Sequence, residues 1–133
     1  MDTAELIKIA ETARNNAYAP YSGFKVGAAL LCKDGTVFTG CNIENASYGL
    51  CNCAERTAFF KAISEGHKEF TAIAIIGSND REICYPCGAC RQVMNEFCNP
   101  SEFKVIAAAT PDLYEETVLE NLLPNGFGPQ NMK

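Results

Sequence analysis

The sequence holds a single histidine, His67, in 133 residues. Nucleophilic catalysis by a Ser/His/Asp or Cys/His arrangement would have to run through that one residue, which sits beside Gly66 at the end of a helical pattern. Its position suits a partner for the helix dipole or a plain surface residue better than a metal ligand. Basic residues are also scarce: 11 Lys and Arg against 16 Asp and Glu leave a formal net charge of −5, with no Lys/Arg cluster anywhere. A domain that grips polynucleotide shows a basic face, because phosphate neutralisation supplies most of that affinity, so nucleic acid is not an expected partner. No apolar run approaches the ~20 residues that span a bilayer, and no membrane partner is expected. Met1 to Ala10 carries Asp2, Glu5 and Lys8 where an export signal would be apolar, which makes the cytoplasm the expected compartment. No glycine-rich phosphate loop is present, so nucleotides are not expected substrates. No repeat, low-complexity tract or linker breaks residues 1–133, which read as one domain able to bury roughly two-thirds of the extended chain's surface.

Cysteine, by contrast, is abundant, with eight residues. In a small secreted chain eight would suggest a disulfide framework, but thiols in a reducing compartment more often serve metal or catalysis. If three bind metal, Cys32, Cys41, Cys51, Cys84 and Cys98 cannot all pair, and most read as small buried hydrophobes.

The pattern along the chain predicts alternating elements. Thr3 can cap a first helix whose Leu6, Ile9, Ala10, Ala13 and Ala17 share a face, stopped by Pro20 and Gly23. Strands over Lys25–Cys32 and Val37–Cys41 flank Asp34-Gly35, a hairpin signal because Gly35 accepts the positive φ of a primed turn. Asn42 to Asn52 has neither helical nor strand period and reads as a working loop. A helix follows over Cys53–Glu65 with Ala54, Ala58 and Ala62 stacked for close packing, and Gly66 ends it. Thr71–Ile76 reads as a central strand, Cys87–Phe97 as a helix broken at Asn99 and Pro100, and Lys104–Ala109 as a buried strand. One more strand fits before a short terminal helix over Thr117–Leu123, closed by Pro124. The expected fold class is α/β: a single mixed β-sheet of about five strands covered by helices.

Chemistry concentrates in Cys53, Ala54, Glu55 and in Pro86, Cys87, Gly88, Ala89, Cys90. Each segment opens a predicted helix, where unpaired backbone N–H groups favour thiolate over thiol. Three protein ligands with one open position make a zinc ion catalytic, and Cys53, Cys87 and Cys90 supply three. Glu55, in the first turn beyond Cys53, is the candidate proton shuttle for a water at the fourth position. Three thiolates around Zn²⁺ leave a charge of −1 that weakens its Lewis acidity. Arg56, with Arg91 and Gln92 just after the other ligands, could offset it by donating to the sulfurs, Arg56 chiefly. The competing reading is a purely structural zinc module closed by Cys51.

Cys-Ala-Glu followed by Pro-Cys-x-x-Cys resembles the zinc-dependent nucleoside deaminases. Phe24–Ala29 (FKVGAA), Gly40–Tyr48 (GCNIENASY), Cys87–Gln92 (CGACRQ), and Leu122, Leu123, Pro124 with Phe127 closely resemble the small homotetrameric cytidine deaminases, in order over nearly the whole chain. The resemblance implies α-β-α layers, one Zn²⁺ per subunit, and deamination of cytidine and 2′-deoxycytidine in pyrimidine salvage. It implies that Asn42 and Glu44 hold the ribose 3′-hydroxyl, that Phe24 lines the pocket, and that the Ala54 backbone with Glu55 reads the pyrimidine edge. Ala46, Tyr48 and Phe127 would reach a neighbouring subunit's site, making the homotetramer part of the catalyst. A deaminase of modified or antibiotic cytosine nucleosides shares the zinc motifs and is the alternative within the same chemistry.

Overall fold

The computed structural model describes residues 1–132. In chain order these form α1 (Thr3–Arg14), β1 (Gly27–Cys32), β2 (Val37–Cys41), α2 (Ala54–Ser64), β3 (Phe70–Ile76), α3 (Gly88–Phe97), β4 (Lys104–Thr110), β5 (Leu113–Val118) and α4 (Leu119–Leu122). Short 3₁₀ turns at Tyr48–Leu50 and Pro129–Met132 complete the set. The strands make one five-stranded sheet in the order β2-β1-β3-β4-β5, parallel only between β3 and β4, so the expected mixed sheet is the one that forms.

Strand side chains alternate between the two faces of a sheet, and here both faces are covered. On one face Ala29, Ala72, Ala74, Ile76, Ile106 and Ala108 pack against Leu6, Ile7 and Ala10 of α1. On the other Ala28, Leu30, Ile73, Ile75 and Val105 meet Ala54, Ala58, Phe59 and Ala62 of α2, Cys90 and Met94 of α3, and Leu119 of α4. Near-continuous burial along β1, β3 and β4 follows from this double cover and accounts for their short, apolar sequences. Small residues bring the layers close. An added Cβ on Gly40 in β2 would fall 2.2 Å from the Ala54 carbonyl oxygen and 2.6 Å from the Ala58 amide, so only glycine lets α2 lie there.

Strand register places the chemistry. Gly27, where β1 starts, pairs with Cys41 at the end of β2 and with Ile76 at the end of β3. The chain therefore leaves β2 and β3 at the same end of the sheet, and the segments leading to α2 and α3 start side by side. Ligand sites in sheets of this kind gather beyond the carboxyl ends of strands.

Several boundaries differ from the sequence pattern for local reasons. Asp2, rather than Thr3, caps α1, its Oδ1 accepting the Glu5 amide at 2.8 Å. Ala17 lies outside α1, because Tyr18 is drawn into a bridge with Ile43. Lys25 lies outside β1, its amide donating to Ser78 Oγ at 2.6 Å. Thr117 and Val118 belong to β5 instead of the terminal helix. That strand pairs on one side only and is exposed from Leu113 to Thr117's neighbour Glu116, which removes the alternation a reader would look for.

Gly40→Ala should destabilise the protein by about 1–3 kcal/mol, as overpacking at a tight contact does. Gly49→Ala, where an added Cβ meets nothing within 4 Å, should stay within about 0.5 kcal/mol. Urea unfolding midpoints of the two variants check the contrast.

Candidate metal centre

Cys53 is the N-cap of α2 and Cys87 the N-cap of α3, with Cys90 in the first turn of α3. Neither capping sulfur accepts a backbone amide of its own helix, which leaves both turned to side-chain partners. The sulfurs of Cys53, Cys87 and Cys90 all lie within 4.8 Å of one another, 3.8 Å between Cys53 and Cys87 and 3.5 Å between Cys87 and Cys90. A tetrahedral ion with Zn–S bonds of ~2.3 Å separates its sulfur ligands by about 3.8 Å, so the three residues fit zinc in spacing and in donor type. Among the described residues no fourth His, Cys, Asp or Glu joins this group. Cys51 is occupied elsewhere: its sulfur accepts the Asn45 amide at 3.3 Å and donates to the Asn45 carbonyl at 3.6 Å. A site closed by Cys51 has no support in this geometry.

Charge around the sulfurs is set by hydrogen bonds and burial. The Cys53 thiol is drawn down to about 5, first by the hydrogen bond it accepts from Cys90 and then by Arg56, against the cost of burial. Cys90, the donor in that contact, is held above the ordinary thiol range. Arg56 Nη2 donates to Cys53 Sγ at 3.4 Å, and Arg56 Nε is buried without a protein partner. A guanidinium facing sulfur in this way matches a site whose thiolates carry excess negative charge. Glu55 is 4% exposed, and burial pushes its carboxyl up to about 7, with the nearby Cys53 charge adding to the rise. Among the described residues no Lys, Arg or His forms an ion pair with it.

The loop after β2 is pinned by side-chain hydrogen bonds in spite of its irregular sequence. Asn42 donates from Nδ2 to the Phe24 carbonyl and accepts the Val26 amide on Oδ1, both at 2.8 Å. Glu44 accepts the amides of Tyr21 at 3.0 Å and Ser22 at 3.1 Å on one oxygen and the Ser22 hydroxyl on the other. Those contacts, the Ser22 hydroxyl first, hold its carboxylate below the usual range. Phe24, 42% exposed, lays its ring tip over Gly77 beside Cys84. Tyr21, Ser22, Glu44, Tyr48 and Cys51 line a recess of about 330 Å³.

Gln92, expected beside a sulfur, donates instead to the Phe127 carbonyl at 2.8 Å. Arg91 does not reach a sulfur either: it donates from Nε to the Pro86 carbonyl and from Nη1 to that of Leu122, both at 2.8 Å, tying the Cys87 loop to α4. Ala54 is buried, whereas Ala46, Tyr48 and Phe127 are exposed. The structure thus joins the three cysteines with Arg56, and separately joins Phe24, Asn42 and Glu44 through Ser22. Ser22 and Asn95, which also donates to the Phe127 carbonyl at 2.9 Å, escaped the sequence reading. Each acts through a partner distant in sequence, and no local spacing marks them.

Residues 1–107 match the family described as the cytidine and deoxycytidylate deaminase zinc-binding region. The chain is 54% identical over 132 residues to a cytidine deaminase of Halalkalibacterium halodurans, covering 99% of this chain and 98% of that protein. A cytidine deaminase of Sporosarcina psychrophila is 49% identical over 132 residues, covering 99% and 96%. Among solved structures, cytidine deaminase from Burkholderia pseudomallei superposes with a TM-score of 0.90 at 52% identity, covering 96% of this chain and all of that one.

Cys87→Ala should purify without bound metal, while Cys51→Ala should retain it at the wild-type level. Elemental analysis after gel filtration distinguishes the two.

Proposed function

The chain belongs to the cytidine and deoxycytidylate deaminase family, and we propose from that premise that it hydrolyses the 4-amino group of cytidine and 2′-deoxycytidine, releasing ammonia and uridine or 2′-deoxyuridine. The observation that carries this reading is a buried carboxyl, Glu55, in the helical turn that follows one of three converging cysteine sulfurs. Cys53, Cys87 and Cys90 would hold one Zn²⁺ per subunit, with Arg56 relieving excess charge on Cys53. When bound, zinc would supply the Lewis acidity that brings the pKa of a water down to roughly 7.

Hydrolysis at C4 of a cytosine requires both protons of the attacking water to leave in turn, one to reach ring N3 as the C–O bond forms and one to accompany the departing amine as the 4-oxo group forms. Glu55 is suited to carry each of them. Its carboxyl, pushed up to about 7 by burial, accepts and returns a proton with little bias near neutral pH. The Ala54 backbone would read the pyrimidine edge beside it, and Phe24 would line the pocket.

For the sugar, Glu44 already takes three hydrogen bonds of the roughly four a carboxylate can accept, and Asn42 uses one of its two Nδ2 protons. One acceptor site and one donor remain, which is what a ribose hydroxyl needs. Contacts with Tyr21, Ser22, Val26 and Phe24 keep both side chains from collapsing onto each other.

Ala46, Tyr48 and Phe127 would enter the site of a neighbouring subunit in a homotetramer. Tyr48 at 71% and Phe127 at 58% exposure are large aromatic surfaces in want of cover. The whole of 1–133 would act as one domain, in the cytoplasm, in pyrimidine salvage.

Glu55→Ala should keep stoichiometric zinc yet lose about 10²–10⁴ in turnover, the usual worth of a positioned proton carrier. Ammonia release from cytidine, deoxycytidine, adenosine and cytosine by the zinc-loaded protein provides the assay. Product from only the first two supports the reading; near-normal turnover by the variant would refute the role of Glu55.

A further inference from the structure

The Phe127 carbonyl oxygen receives two side-chain donors at once, Gln92 Nε2 at 2.8 Å and Asn95 Nδ2 at 2.9 Å. Both come from α3, one helical turn apart, and the same helix carries Cys90. A carbonyl oxygen has two lone pairs. With both engaged from one rigid helix face, the peptide that follows Phe127 cannot rotate without breaking a bond. The clamp is closed from the other side by Gly128, which is buried and where an added Cβ would lie 2.8 Å from Asn95 Nδ2. Beyond it the backbone folds back on itself, Gly128 donating to Asn131 Oδ1 at 2.9 Å and Asn131 donating to the Gly128 carbonyl at 3.0 Å.

The outcome is an aromatic side chain that is exposed while the backbone bearing it is fixed. Phe127 is 58% exposed, and Asn95 beneath it is 9% exposed. Burying an amide is costly unless it is bonded, and Phe127 supplies the bond that Asn95 makes through its donor group. A tail that needed only to be tethered would be served by an apolar anchor. Two directed donors on one carbonyl fix the peptide plane that leaves the Phe127 Cα, which narrows the directions open to the ring.

We propose that Asn95 and Gln92 are positioning residues for substrate: they hold the Phe127 carbonyl so that the ring is presented, already oriented, to the nucleoside site it helps to form. This rests on the reading given above that Phe127 contributes to a neighbouring subunit's site. Orientation before binding lowers the ordering cost of association, so its loss appears in substrate affinity rather than in chemistry. The clamp also fixes the geometry between the tail of one subunit and its own metal-bearing helix.

The test is steady-state deamination of cytidine by zinc-loaded Asn95→Leu/Gln92→Met, by Phe127→Ala, and by the triple variant. The double variant should raise KM about 3–10-fold, the worth of two neutral hydrogen bonds lost in part to solvent, with kcat within about twofold and metal content unchanged. In the Phe127→Ala background the same pair should add no further rise in KM. Amide exchange at Gly128 and Asn131 should quicken in the double variant. Gly128→Ala, which displaces the tail while leaving both donors in place, should give the same KM-only effect and serves if the double variant does not fold. If Phe127→Ala raises KM while neither the clamp pair nor Gly128→Ala does, the clamp proposal fails and the ring's role stands. A clamp effect that persists undiminished without the ring would also overturn it. If Phe127→Ala leaves KM unchanged, the ring has no part in a site and the clamp falls with it.

Discussion

Three sulfurs held within 4.8 Å of one another are the constraint on which the rest of this structure depends. They come from the openings of two helices, with Cys53 and Cys87 34 residues apart in sequence, and nothing in either helix alone would bring all three together. The sheet does it. Because the ends of β2 and β3 both register with the start of β1, the segments entering α2 and α3 leave from neighbouring points, and each helix opens on a cysteine. Close seating of α2 on the Gly40 backbone then sets Cys53 at a fixed height above the sheet. Helix N-termini suit this task because their unpaired N–H groups stabilise the thiolate form that a metal requires.

From that cluster the electrostatics follow. Arg56 faces Cys53, and Glu55, one residue before it, is turned into the protein where burial keeps its proton near neutrality. The two adjacent residues differ in setting: Arg56 turns its guanidinium to the Cys53 sulfur, and Glu55 buries its carboxyl. A helix separates them by about 100° of rotation, enough to put one against the Cys53 sulfur and the other into the interior. Asn42 and Glu44 are organised separately, by Ser22 and the backbone of Tyr21 to Val26, so that the sulfur cluster and the loop after β2 rest on different struts.

Much of this was legible in the sequence, and the reason is physical. Cysteine and glutamate at helix openings are local signals, and short apolar strands flanked by turn residues announce a doubly covered sheet. What stayed hidden is non-local. Gln92 follows a ligand by two residues, which invites a contact with sulfur, but its partner is decided by where the tail returns 35 residues later. Asn95 carries no signal, since a polar residue in a helix is ordinary until something folds over it. Cys51 lies two residues from Cys53 and looks like a fourth ligand, yet the turn at Tyr48–Leu50 points it at Asn45. The polar edge strand β5 lacks alternation because neither of its faces is deeply buried.

The central claim concerns the number and kind of atoms around one ion. X-ray absorption at the zinc edge of the substrate-free protein measures this directly. The account predicts about three sulfur neighbours near 2.3 Å with a single lighter oxygen or nitrogen neighbour near 2.0 Å. A shell of four sulfurs, or an ion with fewer than three, would contradict it.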